Sequence, residues 1–324
     1  MRKLIVAVAL VGALGNIGRA AAQDWPTKPV TMVIPFSAGT GTDALGRIFA
    51  ERLTEFLGRQ VIVENVPGAG SMIGASRVAK ATPDGYQFVF GTSGAFAYNQ
   101  TLYKNPLYNA ATDFAPVALV AESPYVLLAS KHLHASNLQG FIAYAKKNQA
   151  KMQYGSPGAG SSNHLFCELF NSAIGINVTH IPYRAGLPVS SQDLIAGRID
   201  YMCLSAAGAL SLFGNTDPIA ILTKNRSPSI PELPTAHEQG LTDFDARVWF
   251  AVFLPKNTPQ PIVRKLHDAV LAAMNTPSLQ ERARQIGVDL VAAERRSPEY
   301  LQRFVESEID KWAAVIRAAG VTAQ

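Results

Sequence analysis

Short apolar runs alternate along most of the chain with segments whose apolar residues recur every three or four positions. The first run, residues 30–34, is rich in β-branched residues and ends at a proline, so it predicts a buried strand. Residues 44–57 carry an apolar face at helical spacing, which predicts a helix that packs on that strand. This face consists of Leu45, Ile48, Phe49, Leu53 and Phe56. Thr42 or Asp43 is suited to cap the helix.

The same alternation continues to the C terminus. Further apolar runs predict strands at residues 61–64, 87–90, 117–120, 125–129, 152–154, 178–181, 199–203, 219–223 and 248–254. Helical spacing predicts helices at residues 72–80, 138–147, 165–172 and 189–196. Three more helices are predicted in the tail, where a cap residue precedes a proline at Thr258, Thr276 and Ser297. Strand–helix alternation of this kind predicts an α/β fold with mostly parallel sheets covered by helices.

The N terminus predicts export. Residues 1–3 are basic, residues 4–14 are apolar and residues 20–22 are three alanines, a pattern typical of a signal peptide over residues 1–22. No later stretch approaches the roughly 18 to 20 uninterrupted apolar residues that a membrane span requires. We therefore expect a mature periplasmic chain that begins near Gln23 or Asp24.

The charge of the chain argues against a nucleic-acid partner. Three of its 29 basic residues, Arg2, Lys3 and Arg19, lie in the signal peptide, so about as many basic as acidic residues (24) remain after its removal. These charges are spread along the sequence, whereas a nucleic-acid-binding protein concentrates them on one face.

The chain has two cysteines, Cys167 and Cys203. In an oxidising compartment two cysteines can pair. Cys167 falls in a predicted helix and Cys203 at the end of a predicted strand. The sequence leaves two interpretations open, a disulfide or two buried free thiols.

One glycine pattern imitates a dinucleotide-binding site. Gly39, Gly41 and Ala44 fit the spacing of the fingerprint, and Glu64 ends the next predicted strand, where a ribose-binding acid would lie. However, residues 35–38 separate the strand from the first glycine, whereas the fingerprint needs a tight turn directly after the strand. Export would also remove the chain from the cytoplasmic cofactor pool. We therefore expect no cofactor.

Catalytic and metal-binding motifs are also weak. The segment from Gly91 to Ala95 misses the nucleophile-elbow pattern because alanine replaces its final glycine. His132 and His134 form the closest histidine pair, but no carboxylate accompanies them at ligand spacing, so we expect no metal site. An exported hydrolase that uses Ser93 or Ser161 remains the alternative to a binding protein.

Two loops share a composition that suits an anion. Residues 37–43 and 156–163 each follow a predicted strand, open a predicted helix, and contain neither lysine nor arginine. The free N–H groups and the dipole at a helix N terminus favour a bound anion. We hypothesise that the two loops hold a carboxylate, the alternative being two ordinary turns. Arg184 and Arg198 are candidate charge partners, and His164, which opens the second helix, is better explained by a bond to its own loop.

Short motifs follow one another in a fixed order along the chain. In the first half they are Trp25-Pro26-x-x-Pro29-Val30, Pro35-Phe36-x-x-Gly39-x-Gly41-Thr42-Asp43 with Arg47, Val63-Glu64-Asn65-x-Pro67-Gly68-Ala69-Gly70, and Pro83-Asp84-Gly85-Tyr86. In the second half they are Ser156-x-Gly158-x-Gly160-Ser161-x-x-His164, Pro182-Tyr183-Arg184, Leu194-x-x-Gly197-x-x-Asp200 and Pro231-x-x-Pro234-Thr235. In this combination the chain, from about Trp25 to its C terminus, resembles the Bug-type extracytoplasmic receptors of tripartite tricarboxylate transporters.

The resemblance implies a two-lobed α/β fold of the type II periplasmic-binding-protein class, with the ligand in the cleft between the lobes. Lobe 1 would contain residues 24–122 and 248–324, and lobe 2 residues 123–247. The resemblance also implies a monomer without catalytic activity. Such a receptor captures a small carboxylate, for example a dicarboxylate or an aromatic acid, and delivers it to the membrane components of the transporter.

The resemblance further implies which residues contact the ligand, mainly through main-chain amides. In lobe 1 these would be Phe36, Ser37, Ala38, Gly39, Thr40, Asp43 and Ser93. In lobe 2 they would be Ser156, Gly158, Ala159, Gly160, Ser161, Ser162 and either Tyr183 or Arg184. The chain departs from the family pattern at residues 203–206, where Cys-Leu-Ser-Ala replaces an acidic segment. We therefore expect a ligand whose far end is apolar or aromatic.

Overall fold

The structure is a computed structural model that describes residues 25–158, 161–183, 186–242, 244–318 and 320. Its strands are β1 (Val30–Ile34), β2 (Val61–Asn65), β3 (Gln87–Thr92), β4 (Phe114–Ala129), β5 (Gln153–Ser156), β6 (Thr179–Pro182), β7 (Tyr201–Ser205), β8 (Asp217–Ile221), β9 (Arg247–Pro255) and β10 (Asp289–Leu290). Its α-helices are α1 (Gly41–Leu57), α2 (Met72–Ala79), α3 (Asn99–Leu102), α4 (Leu138–Asn148), α5 (Ser162–Ile174), α6 (Leu187–Ile195), α7 (Ala206–Ala209), α8 (Gln260–Met274), α9 (Pro277–Gln285) and α10 (Pro298–Ala318). In the described part of the chain, no helix has both the length and the apolarity needed to cross a bilayer.

The strands form two sheet regions that share one long strand. In the first region the order is β2-β1-β3-β9-β4, with the short β10 on the far side of β4. β1 is parallel to both neighbours, whereas β9 runs antiparallel between β3 and β4. In the second region β5 lies parallel to β6 and β7, and β4 pairs antiparallel with β7 and β8. Helices cover both regions, as the alternating sequence pattern predicted.

β4 corrects one prediction, because the two strands expected at residues 117–120 and 125–129 are a single strand of 16 residues. Its first part, up to Pro124, pairs with β9, and its last five residues pair with β7 and β8. The polar residues that suggested a break are accommodated instead. Glu122 is buried against Arg247 and Arg295, and the Ser123 hydroxyl donates to the Gly287 carbonyl at 2.8 Å.

The predicted buried face of α1 is confirmed for Leu45, Ile48, Phe49 and Leu53 but is wrong for Phe56, which is 45% exposed. Phe56 lies in the last turn before the left-handed Gly58, where Leu57 takes the buried position. The predicted cap is also wrong. The helix begins at Gly41, and the hydroxyl of Thr40 caps it by accepting the Asp43 N–H at 3.3 Å.

The three tail helices are present, but only one of their three predicted caps forms. Ser297 Oγ accepts the Tyr300 N–H of α10 at 3.1 Å. The hydroxyls of Thr258 and Thr276 instead donate to the carbonyls of Pro255 and Ala273, both at 2.7 Å. The sequence analysis also missed the π-helical turn Gly94–Tyr98 that leads into α3.

In the structure Cys167 of α5 and Cys203 of β7 form a disulfide, with their Cα atoms 5.4 Å apart. Separations of this size are usual for disulfides. Close by, the Asn163 side-chain amide donates to the Cys203 carbonyl at 2.9 Å. The first turns of α5 are therefore held to β7 by both a covalent and a hydrogen bond.

We predict that replacing both cysteines, Cys167→Ala with Cys203→Ala, lowers the free energy of unfolding by about 3–4 kcal/mol, because the bond spans 36 residues and restricts the unfolded chain. Urea denaturation measures the change. Wild-type protein under reducing conditions is the control and should unfold like the double variant. Equal urea midpoints for the oxidised wild type and the double variant would show that the disulfide contributes nothing.

Candidate functional site

The loops after β1 and β3 lie at one edge of the first sheet region, because the two strands are parallel neighbours. In the loop after β1, Phe36 is half-buried, whereas Ser37, Ala38 and Gly39 are exposed. Gly39 has a φ of +81°, a conformation that favours glycine. The loop thus presents main chain rather than large side chains at the N terminus of α1.

Asp43 holds this loop in shape. Its buried carboxylate accepts the Gly39 N–H at 2.9 Å, the Asn65 side-chain amide at 2.9 Å and the Arg47 Nε–H at 3.0 Å. The Asn65 amide also donates to the Phe36 carbonyl at 3.0 Å, which fixes the start of the loop. The described hydrogen bonds of the Asp43 carboxylate therefore go to the loop, at Gly39, and to the two residues that support it, Arg47 and Asn65.

The electrostatics of Asp43 agree with this role. Burial acts to raise the pKa of its carboxyl, but the hydrogen bonds from Arg47, Gly39 and Asn65 outweigh burial and hold the pKa below the usual range. The carboxylate stays ionised near neutral pH, and the adjacent guanidinium of Arg47 balances its charge. Residues 36–42 carry no charged side chain of their own.

The second loop, residues 156–163 at the end of β5, also uses its side chains for hydrogen bonds within the loop and to the elements beside it. Ser156 Oγ accepts the Gly158 N–H at 3.1 Å and lies 2.7 Å from His180 Nε2. Ser161 caps α5: its hydroxyl donates to the Gly158 carbonyl at 2.8 Å and accepts the His164 N–H at 3.3 Å. The predicted contacts Ala159, Gly160 and Arg184 lie outside the described residues.

Three stacked aromatic rings, those of His164, His180 and Tyr154, pack next to the second loop. The rings of His164 and His180 are 4.1 Å apart, and Tyr154 stacks 4.9 Å from His180. Burial lowers the pKa of both histidines to about 4, and for His180 the neighbouring His164 adds to the effect. Both rings are therefore neutral near pH 7.

Tyr183, a predicted ligand contact, uses its hydroxyl inside the structure. The hydroxyl donates to Asp193 at 2.8 Å, and Arg198 binds the other oxygen of the same carboxylate at 2.6 Å. The Tyr183 N–H donates to the Ser156 carbonyl at 2.8 Å. Tyr183 and Arg198 thus brace the second loop through Asp193.

The third loop, which consists of Ser93 and the π-helical turn Gly94–Tyr98 after β3, contains two deeply buried hydroxyls. Ser93, which follows β3, has no exposed surface, and Tyr98, in the π-helical turn, is 1% exposed. Neither hydroxyl has a hydrogen-bond partner of acceptable geometry in the described part of the chain. Ser93 was predicted as a ligand contact, whereas Tyr98 was not; in the sequence Tyr98 is marked only by its position shortly after the small-residue loop.

Side chains next to these hydroxyls connect the loops after β3 and β5. The Tyr98 ring packs 6.1 Å from Phe166 of α5, and Phe166 packs 4.0 Å from Tyr125 of β4. Burial raises the pKa of Tyr125, and hydrogen bonding to the Ser162 side chain, at the start of α5, acts in the opposite direction. A row of hydroxyls, Ser93, Tyr98, Tyr125 and Ser162, therefore leads from the third loop to the second.

The N terminus of α1 also approaches the segment after β7. A side chain on Gly41 would bring its Cβ to 3.6 Å from the Ala207 Cβ. On the other side of this segment, Gly287 packs so tightly that an added Cβ would lie 2.7 Å from the Ala207 N. Residues 203–206, where the sequence departs from the family pattern, thus lead directly to a close contact between the two sheet regions.

Charged side chains cluster where β4 and β9 leave the first region. Glu122 is 6% exposed and bonds Arg247 at 2.9 Å and Arg295 at 2.5 Å. Burial acts to raise the pKa of Glu122, but the two guanidinium groups outweigh it and hold the pKa below the usual range. The cluster ties both strands to the turn before α10.

The histidine pair and the two serines considered for metal binding and hydrolysis can be located in the structure. The described residues contain no group of three or more histidine, cysteine or acidic side chains that could hold a metal ion. His132 instead bonds Ser130 and Asp200, both at 3.0 Å. Ser161 accepts the main-chain N–H of His164, and the described hydrogen bonds join neither Ser161 nor Ser93, the two candidate nucleophiles, to a histidine ring.

Comparisons with known proteins agree with this architecture. A family model described as "Tripartite tricarboxylate transporter family receptor" matches residues 45–321. The periplasmic binding protein BugD is 35% identical, with a TM-score of 0.80 over 93% of this chain and 100% of that chain. MatC from Rhodopseudomonas palustris, solved with bound malate, is 33% identical, with a TM-score of 0.79 over 90% and 100% of the two chains. R. palustris Rpa4515, solved with adipate, is 36% identical, with a TM-score of 0.82 over 92% and 99%. The predicted two-lobed α/β fold is confirmed.

We predict that Asp43→Ala lowers the free energy of unfolding by about 1–3 kcal/mol, because the Gly39 N–H, the Arg47 Nε–H and one of the two Asn65 amide bonds lose their acceptor. Urea denaturation measures the loss. Glu64→Ala is the matched control: it breaks another carboxylate–arginine pair, with Arg77, at a site that is 44% exposed, and should cost less than about 1 kcal/mol. Similar losses in the two variants would contradict the role given to Asp43.

We predict that the unliganded protein loses stability as the pH falls from about 6.5 towards 4. His164 and His180 have lowered pKa values in the folded state, so the unfolded chain binds more protons in this window. Each histidine contributes a slope of at most about 1.4 kcal/mol per pH unit. His180→Gln should make the dependence shallower, as measured by melting temperature against pH. Parallel curves for variant and wild type would exclude His180 as a source.

Proposed function

This chain belongs to the family of tripartite tricarboxylate transporter receptors, and on that premise we propose that it is a periplasmic receptor for a small carboxylate. It would capture the carboxylate between its two lobes and deliver it to the membrane components of a tripartite transporter. The relatives solved with malate and with adipate both hold dicarboxylates, which supports a carboxylate as the ligand here.

One observation carries the proposal most directly. The exposed loop from Ser37 to Gly39 opens α1 without any charged side chain of its own, and Asp43 and Thr40 are occupied in shaping it. An anion at this position would meet main-chain N–H groups and the positive end of the helix dipole. A carboxylate has the charge and the acceptor geometry for such a site.

We propose the lobe boundaries predicted from the sequence, residues 24–122 with 248–324 and residues 123–247. Two observations support them. β4 changes partners at Tyr125, where pairing with β9 gives way to pairing with β7 and β8. On the return path, the Ala246 N–H still bonds Leu222 next to β8, whereas β9 begins at Arg247. The Glu122 cluster lies between these two crossings, where a hinge is expected.

We also propose that the receptor has no catalytic activity. A serine–histidine pair does exist, Ser156 with His180, but the Ser156 hydroxyl also contacts both polar groups of Gly158 and is fully buried. In the described residues no carboxylate bonds the other ring nitrogen of His180, so the orienting group of a catalytic triad is missing. The pair is better explained as support for the second loop.

We predict that malate, adipate or an aromatic acid such as benzoate raises the melting temperature, and that the effect depends on closure at Gly41. A ligand at about 100 times its dissociation constant adds about 2.7 kcal/mol to the free energy of unfolding. Gly41→Ala should keep this response because its Cβ meets Ala207 at an ordinary contact distance of 3.6 Å. Gly41→Phe should abolish it by holding the two lobes apart.

Differential scanning fluorimetry of the wild type and both variants tests this prediction, with circular dichroism as the check that each variant folds. An unchanged response in Gly41→Phe would place the ligand away from this contact. No response of the wild type to any carboxylate, or turnover of a carboxylate ester by the pure protein, would contradict the proposed function itself.

A further inference from the structure

Two buried hydroxyls of the third loop have no role in the proposed carboxylate site as described so far. Ser93 Oγ and Tyr98 OH are buried, yet neither has a hydrogen-bond partner of acceptable geometry among the described residues. An unsatisfied buried hydroxyl costs about 1–3 kcal/mol, and such groups in native proteins usually have an explanation, often a bound water or ligand. Gln100 Nε2 in α3 also lacks a described partner, but the side-chain oxygen of Gln100 accepts the Ala110 N–H at 3.2 Å, whereas Ser93 and Tyr98 have no other side-chain polar atom.

The two hydroxyls cannot satisfy each other completely. They lie close together, since the Ser93 hydroxyl counteracts the effect of burial on the pKa of Tyr98. A hydroxyl has one proton to donate. If one of the two donated to the other, one O–H proton would still lack an acceptor. The pair therefore retains at least one donor for a group from outside the protein.

The location of the pair points to a ligand bound between the lobes. Ser93 follows β3, at the same sheet edge as the loop after β1. Tyr98 contacts Phe166 of α5, the helix that the second loop opens, and the Tyr125 hydroxyl next to it is paired with Ser162. The pair thus lies between the two loops proposed to hold the carboxylate.

The surrounding charge indicates which kind of group fits. Burial and the negative charge of Glu308 both raise the pKa of Tyr98. Glu308 is itself fully engaged: one oxygen accepts the indole N–H groups of Trp249 and Trp312, both at 3.0 Å, and the other lies 3.1 Å from Lys311. A second carboxylate of the ligand would be repelled here, whereas an uncharged oxygen would accept the free proton without a charge penalty.

Resting on the proposed function, we propose that Ser93 and Tyr98 form a subsite that binds an uncharged oxygen of the ligand, a hydroxyl or a keto group, next to its carboxylate. The main-chain loops would hold the carboxylate itself. Tyr98 would then set the preference of the receptor for hydroxy- or oxo-acids over the unsubstituted acids.

Isothermal titration calorimetry with matched acids tests the subsite. The probes are succinate and the two enantiomers of malate, and adipate and 3-hydroxyadipate, which differ within each set by one hydroxyl. We expect the wild type to bind one hydroxylated member about tenfold more tightly than its parent, the effect of one buried hydrogen bond. Tyr98→Phe should remove this preference, so that the variant binds the hydroxylated and the parent acid about equally tightly.

Tyr108→Phe is the matched control, because the Tyr108 hydroxyl is buried nearby but donates to the Ala95 carbonyl at 2.7 Å. It should lower the melting temperature of the unliganded protein and keep the ligand preference. Tyr98→Phe should melt no lower than the wild type, since the Tyr98 hydroxyl has no partner outside the Ser93–Tyr98 pair among the described residues. A drop as large as that of Tyr108→Phe would show a structural role for the Tyr98 hydroxyl and overturn the inference.

The outcomes separate the subsite from the proposed function. Binding of carboxylates with the same preference in the wild type and in Tyr98→Phe would overturn the subsite alone. Equal affinity of the wild type for parent and hydroxylated acids would also overturn it alone. If the wild type bound none of the acids in this series or in the wider carboxylate panel, the proposed function and the subsite would fall together.

Discussion

The antiparallel pairing of β4 with β9 is the interaction on which the rest of the structure depends. These two strands carry the chain from one sheet region to the other and back, so both regions are positioned through them. Burying Glu122 at this place is tolerated because Arg247 and Arg295 both bind it. Removing one partner of such a buried cluster is strongly destabilising. The crossing is therefore well defined, and it is where we propose that the lobes hinge.

The loops at the sheet edges follow a common principle: their polar side chains bond their own main chain. Asp43, Ser156 and Ser161 each use their oxygens to shape a loop. What remains exposed is mostly main chain, which suits an anion through its N–H groups and the helix dipole rather than through a charged partner. Because few side chains are left to contact a ligand, composition and motifs point to an anion without specifying which one. The Ser93–Tyr98 pair is the exception, because its hydroxyls have no such partner.

Much of the fold could be predicted from the sequence, because periodicity reports burial directly. Most strands, most helices and most of the buried face of α1 followed from apolar spacing, and the family resemblance is confirmed. Predictions failed where tertiary contacts override local pattern. β4 continues through Glu122 because distant arginines neutralise it, and Thr40 rather than Thr42 caps α1. Tyr98 escaped notice because the lack of a partner for a buried hydroxyl is visible only in three dimensions.

We propose that main-chain N–H groups of the loop after β1 hold a carboxylate between the lobes. A crystal structure of the protein with a carboxylate that stabilises it tests this most directly. We expect one carboxylate group within about 3 Å of N–H groups between Ser37 and Gly41, with the segment around Ala207 closed over it. A carboxylate bound elsewhere, or bound mainly by arginine or lysine side chains, would contradict the account.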